Sequence, residues 1–243
     1  MRNMSHQPGL AAMIDMAEQS EAFTSSVDGI NGYVGLAHCS LNDLAHPASD
    51  ATFKRLSARL TVPAPPSKNV HQTIFLFPGL QGSPANAPKT ILQPVLAWSS
   101  DAWAIASWLV RGQPGSLDFS TCTANVSVAP GTNLIAIIEV QQKSSDSNSY
   151  SCRFDGYDGT TLNIDLPYQL TEVGMALEAY QIGVEDCAME LPHGPITFTD
   201  IELHANDDSL MIPQWKLVQG TSSCGFKVAE RHMESGDAIE FSR

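Results

Sequence analysis

The chain is poor in charge and poorer still in positive charge. Only 16% of its 243 residues are charged, and 13 lysines and arginines stand against 26 aspartates and glutamates, a formal net charge of −13. Such an acidic surface repels nucleic acid and anionic lipid, so no nucleic-acid partner is expected. No run approaches the roughly 18 apolar residues that a membrane-spanning helix needs, so no membrane partner is expected either. Near the start there is only a short apolar patch over residues 10–13, followed by Asp15 and Glu18. A secretory segment needs about 7–15 apolar residues. The expected location is therefore cytoplasmic, or secreted if the sequence is a processed form.

Metal and redox motifs are missing too. The five cysteines, Cys39, Cys122, Cys152, Cys187 and Cys224, are scattered and form no CxxC pair, which removes zinc-ribbon and thioredoxin readings. The odd count leads us to expect no obligatory disulfide, with a Cys122–Cys152 bridge between neighbouring strands as the alternative. The seven histidines show no HxH or HExxH spacing, so neither a metal nor a cofactor is expected. Asp155, Asp158 and Asp165 fit turns better than a calcium loop. Asn125-Val126-Ser127 is a glycosylation sequon, with meaning only in a secreted chain. Nucleophile-elbow, phosphate-loop and dinucleotide fingerprints are absent.

What is present is a series of short strands. Residues 53–63 (FKRLSARLTVP) alternate in the period of two that marks a half-buried strand, and the prolines that follow end it. Residues 32–36, 74–77, 91–98, 134–140, 150–154, 161–166 and 196–203 carry similar signals. Turn residues stand between them, such as Asp155-Gly156-Tyr157-Asp158-Gly159. Residues 101–111 (DAWAIASWLVR) read as helix or strand, and strand is preferred. Over 172–184 helical amphipathicity competes with a strand. Strands spaced by about ten residues predict an antiparallel β-sandwich or barrel. We expect one β-sandwich domain over 29–232. An N-terminal tail over 1–28 has room for a short helix, and a C-terminal tail covers 233–243.

Within the apolar segment 74–98 (IFLFPGLQGSPANAPKTILQPVLAW), Gln93 is the one uncharged polar residue of its strand. Its amide must find partners in a covered strand, so it is either held in a polar network or presented to a ligand. Far along the chain, Glu178 is a second polar residue in an apolar stretch. A carboxyl on a covered sheet is desolvated, which raises its pKa and suits it to general acid–base work. A nearby amide can donate to a developing oxyanion.

Several motifs occur in an order shared with a known family. Asn31-Gly32-Tyr33-Val34 resembles an "AGYV" strand, and residues 53–63 resemble "F-x-x-V-x-A-x-(W/F)-T-V-P". Residues 75–82 stand where "W-V-G-I-D-G" is found, and Ile91-Leu92-Gln93 matches "I-L-Q". Ala176-Leu177-Glu178-Ala179 stands where "A-E-W-I-V-E" is found, and Ile196-Thr197-Phe198 resembles "V-T-F-T". In this order the chain resembles the glutamic peptidases (eqolisins), acid-acting proteases on a two-sheet sandwich. The resemblance implies an all-β, two-sheet antiparallel β-sandwich of the concanavalin A-like, glutamic-peptidase-like kind. It implies Glu178 as general base and Gln93 as oxyanion donor, on adjacent strands of one concave sheet face. Phe77, Gln81, Trp98, Trp108 and Tyr180 are the expected substrate-binding residues.

The surrounding residues depart from the family. Phe77 stands for its tryptophan and Gln81 for its aspartate. Ala179 follows the glutamate where the family has an aromatic, and the "W-Y-E-W" glutamate has no counterpart around Trp108. Three functions follow. The first is a divergent hydrolase using the Gln/Glu dyad on a peptide or small-molecule substrate. The second is a non-proteolytic small-molecule enzyme with Glu178 as acid or base. The third is a lectin-like binding module.

Overall fold

The alternation seen in the sequence becomes burial in the fold. In the strand Phe53–Thr61, Leu56, Ala58 and Leu60 are buried while Arg59 and Thr61 are exposed. The computed structural model describes residues 30–44, 52–82, 89–113, 116–143, 147–183, 186–220, 224–233 and 236–243. The strands are β1 (Ile30–Ser40), β2 (Phe53–Thr61), β3 (Thr73–Gly82), β4 (Lys89–Ser99), β5 (Ala102–Gln113), β6 (Ser116–Cys122), β7 (Val126–Ser127) and β8 (Asn133–Lys143). After them come β9 (Asn148–Phe154), β10 (Leu162–Leu166), β11 (Glu172–Ile182), β12 (Ile196–Ala205), β13 (Lys216–Gln219), β14 (Lys227–Met233) and β15 (Gly236–Ser242). Among the described residues, one short α-helix, α1 (Cys187–Glu190), stands between β11 and β12.

These strands form two antiparallel sheets packed as a sandwich. The first has the order β13-β1-β11-β3-β4-β5-β6, with β7 added against β5. The second has the order β10-β9-β8-β2-β12-β15-β14. The main core lies between them and includes Ile74, Leu76, Leu92, Leu96, Leu177, Phe198 and Phe241. A smaller cluster of Phe77, Val95, Ala97, Ala106, Trp108 and Ala176 packs on the outer face of the first sheet.

Two local devices position that outer face. Strands β4 and β5 are joined through Ser100 and Asp101, both at positive φ (51° and 67°). This two-residue turn suits the right-handed twist of a hairpin and fixes the register, with Ser99 opposite Ala102. In β1 the register slips between Tyr33 and Gly35. The bulge lets both Tyr33 and Leu36 face outward. A side chain at position 35 would strike Val228 Cγ2 at 2.5 Å, so glycine is required there.

The structure settles the ambiguous segments as strands: residues 102–111 lie in β5, and residues 172–182 form β11. Two expectations are corrected. The end of the chain is not a tail, because β15 sits between β12 and β14 with Ile239 and Phe241 fully buried. A disulfide joins Cys187 to Cys224. Cys122 and Cys152 stay unbridged because Cys152 is buried between the sheets and Cys122 packs on the outer face. The N-terminal tail with its short helix lies outside the described residues.

Candidate functional site

Strand alternation decides which side chains meet on the outer face. In β11, Val173, Met175, Leu177 and Ala179 enter the core, which turns Gly174, Ala176, Glu178 and Tyr180 outward. In β3, Ile74, Leu76 and Leu80 enter the core, leaving Phe75, Phe77, Gly79 and Gln81 outside. In β4, Leu92, Leu96 and Trp98 enter the core, while Gln93, Val95 and Ala97 face out. Pairing then lines these residues up in rows across the sheet. Tyr33, Glu178, Phe75 and Ala97 form one row, and Leu36, Ala176 and Phe77 form the next. His38, Gly174 and Gly79 begin a third, which Gln93, Trp108 and Cys122 continue.

Glu178 is the chemical centre of the face. The Tyr180 hydroxyl donates to its Oε2 at 3.2 Å, and the Tyr33 hydroxyl also hydrogen-bonds to it. Phe75 packs edge-on to Tyr180 with ring centroids 5.8 Å apart, and lies 6.3 Å from the Trp108 ring. The residue is half-buried, and protein crowds its carboxyl. Loss of hydration pushes the carboxyl up to about 7, against the opposing pull of the Tyr180 and Tyr33 hydrogen bonds. Tyr33 is itself pushed well above the usual phenol range, by burial first and then by the Glu178 charge. It therefore stays a neutral donor. Such a carboxyl can both take and give a proton near neutrality.

Gln93 is set differently. It is only 9% exposed, and its Oε1 is enclosed with no hydrogen-bond partner. Pairing between β3 and β4 holds at Leu76–Leu96 and Leu80–Leu92 but lapses between them. Continuing the register places Pro78 opposite Pro94 in that gap, and neither can donate to the ladder. Gln93 flanks this interruption.

Of the residues expected from the sequence, Gln93, Glu178, Phe77, Gln81, Trp108 and Tyr180 share the outer face. Gln81 donates from Nε2 to Glu172 Oε2 at 2.7 Å, at the edge of the group. Trp98 does not join them. It falls on the inward phase of β4 and packs edge-to-face against Trp103 in the core, 5.4 Å between centroids. Gln93 and Glu178 are also not on adjacent strands, because β3 runs between β4 and β11. They stand two rows apart, with Phe77 in the intervening row. Sequence reasoning passed over Tyr33, Phe75 and His38. Phase could have found Phe75, which alternates with Phe77, but only the β1–β11 pairing brings Tyr33 to Glu178. Among the described residues, no group of three His, Cys, Asp or Glu side chains converges to hold a metal ion.

No family model and no curated protein matches this chain. Among solved structures it is similar to scytalido-glutamic peptidase with a transition state analog inhibitor. The TM-score is 0.53 and the identity 13%, over 88% of this chain and 98% of that one. It is likewise similar to scytalido-glutamic peptidase with a peptide based transition state analog, with TM-score 0.52, 14% identity and the same coverage. At these identities the likeness concerns the fold: the chain has a glutamic-peptidase-like sandwich.

Proposed function

We propose that the protein is an acid–base enzyme, a divergent glutamic-peptidase-like hydrolase in which Glu178 moves the proton and Gln93 binds the substrate carbonyl. The reading rests on one observation: a carboxyl held by two phenols on an aromatic-lined sheet face. As carboxylate, Glu178 takes a proton from water while the hydroxide adds to the carbonyl carbon. A Gln93 N–H donates to the resulting oxyanion. Protonated Glu178 then returns its proton to the leaving group. The partner is a peptide or an amide-bearing small molecule.

Glu178→Gln keeps the shape and removes the ionisable group, and is expected to lower the rate by about 10²–10⁴-fold. The assay is cleavage of an acid-denatured protein between pH 3 and 8. For a general base, kcat/KM rises with pH to a plateau above about 7, following the Glu178 carboxyl. A binding module would keep ligand affinity in the variant and show no turnover to lose.

A second reading, non-proteolytic chemistry on a small molecule with Glu178 as general acid, has its own support. The hydrogen bonds of Glu178 run to tyrosines and not to Gln93, and Gln81 occupies the position of an acid in the resembling family. In that case no protein is cleaved at any pH, and turnover of the small molecule falls as pH rises through about 7.

A further inference from the structure

Two β-bulges bracket the register pair Tyr33–Glu178, one on each strand. On β1 the slip falls at Val34, between Tyr33 and Gly35. On β11 it falls at Gln181: Asn31 pairs with Tyr180 and Ile30 with Ile182, so Gln181 is the extra residue of the bulge. Gln181 is exposed and its φ is 61°. That is the left-handed region, which residues other than glycine seldom adopt. The bulge changes which way the chain faces. A period of two would put Ile182 on the same face as Tyr180. Instead Ile182 enters the core at 1% exposure, while Tyr180 stays on the outer face with Glu178 and Phe75.

Both sides of this bulge are held. Towards the site, β11 pairs with β3 without a slip from Glu172 through Tyr180, which lies opposite Thr73. Beyond it, the Gly183 N–H donates to Glu190 Oε2 at 2.6 Å. Glu190 is buried, and Lys68 Nζ lies 3.0 Å from its Oε1. The Glu190 backbone oxygen accepts from Gln72 Nε2 at 2.9 Å, one residue before Thr73 in the chain. A non-glycine residue in left-handed backbone is strained and persists only where its surroundings over-determine it. Glu190 and β3 supply that constraint. Strain of this kind collects at functional sites, and bulges beside such sites re-aim a side chain.

We propose that Gln181 is a positioning residue for Glu178: its left-handed backbone tips Tyr180 so that the phenol meets the carboxyl. Successive residues on one face of a strand lie about 7 Å apart. The 3.2 Å bond from Tyr180 to Glu178 closes that gap, so the phenol leans back along its own strand. A bulge bends its strand and adds twist, and this one does so immediately after Tyr180, which supplies the lean. The inference rests on the acid–base reading of Glu178 and adds the device that holds one of its donors.

The test is a carboxyl-carbon NMR titration of Glu178 in the full chain and its variants. Gln181→Val introduces a β-branched residue, which resists positive φ, so the bulge flattens and the phenol turns away. The Glu178 pKa then rises above about 7, by as much as in Tyr180→Phe. The double variant Gln181→Val/Tyr180→Phe shows no further rise, because the same donor is lost only once. Gln181→Gly takes positive φ without strain and keeps the parent titration. An unchanged Glu178 titration in Gln181→Val, whatever its stability, would show that the bulge serves the fold alone and overturn the proposal. So would a rise in Gln181→Gly equal to that of the valine variant, or additive rises in the double variant. One measurement needs no variant: an HN–Hα coupling of Gln181 in the parent chain that reports negative φ overturns the proposal even if Gln181→Val does not fold. Failure of the acid–base reading shows elsewhere, as turnover that survives Glu178→Gln, and does not alter these titrations.

Discussion

Two opposing influences set the protonation of Glu178. Burial favours the neutral acid, while the phenols of Tyr180 and Tyr33 favour the carboxylate by donating to it. The balance is testable one hydroxyl at a time. Tyr180→Phe and Tyr33→Phe keep the rings and delete one donor each. Each is expected to raise the Glu178 pKa above its value of about 7, and the pair to raise it further. Carboxyl-carbon NMR titration, with Glu178→Gln to assign the signal, reads this directly. A pKa that stays or falls would show that the phenols do not hold the carboxylate. Residues of this kind are half-legible in a sequence. A polar side chain in an apolar strand marks Gln93 and Glu178. Tyr33 carries no such mark, since its role depends on a partner strand far along the chain.

At the level of elements, most strands could be read because one face is buried and the period of two follows. Strand β2 and the pair β4–β5 are cases in point, the latter closed by a turn that needs positive φ at Ser100 and Asp101. What could not be read is which strands pair, because β1–β11 and β3–β11 are contacts between distant segments. For the same reason β15 was missed: GDAIEFS is short and acidic, and only its place between β12 and β14 shows that Ile239 and Phe241 are core. Phe241→Ala is therefore expected to cost about 3–5 kcal/mol in urea unfolding. A mobile tail would instead give a change within roughly 0.5 kcal/mol. The disulfide makes a second prediction. Thiol titration of unfolded, unreduced protein should find three free cysteines, Cys39, Cys122 and Cys152, and find Cys187 and Cys224 only after reduction. Five thiols without reduction would contradict the pairing.

The whole molecule joins a surface of net charge −13 to a buried carboxyl that resists ionisation. Both make the fold sensitive to pH in the same direction on the alkaline side. The Glu178 pKa is raised from 4.5 to about 7 on folding. Its contribution is thus fully present below about pH 4.5 and is lost as pH rises through about 7. Self-repulsion among the carboxylates adds to that loss. On the acid side the sign reverses. The Lys216 and Ser40 hydrogen bonds hold Asp43 at about 2, below its ordinary 3.8, and Glu240 is lowered by Ser242 and Arg231. Those contributions are present above the ordinary values and are lost as pH falls through the lowered ones. Stability should therefore peak near about pH 5 and decline both ways. Urea midpoints measured from pH 3 to 9 test this, with Glu178→Gln as the control. Glutamine does not titrate, so the variant should lose less stability than the parent between pH 5 and 8. If the two chains decline in parallel across that window, the alkaline loss belongs to the surface charge and Glu178 ionises without cost to the fold.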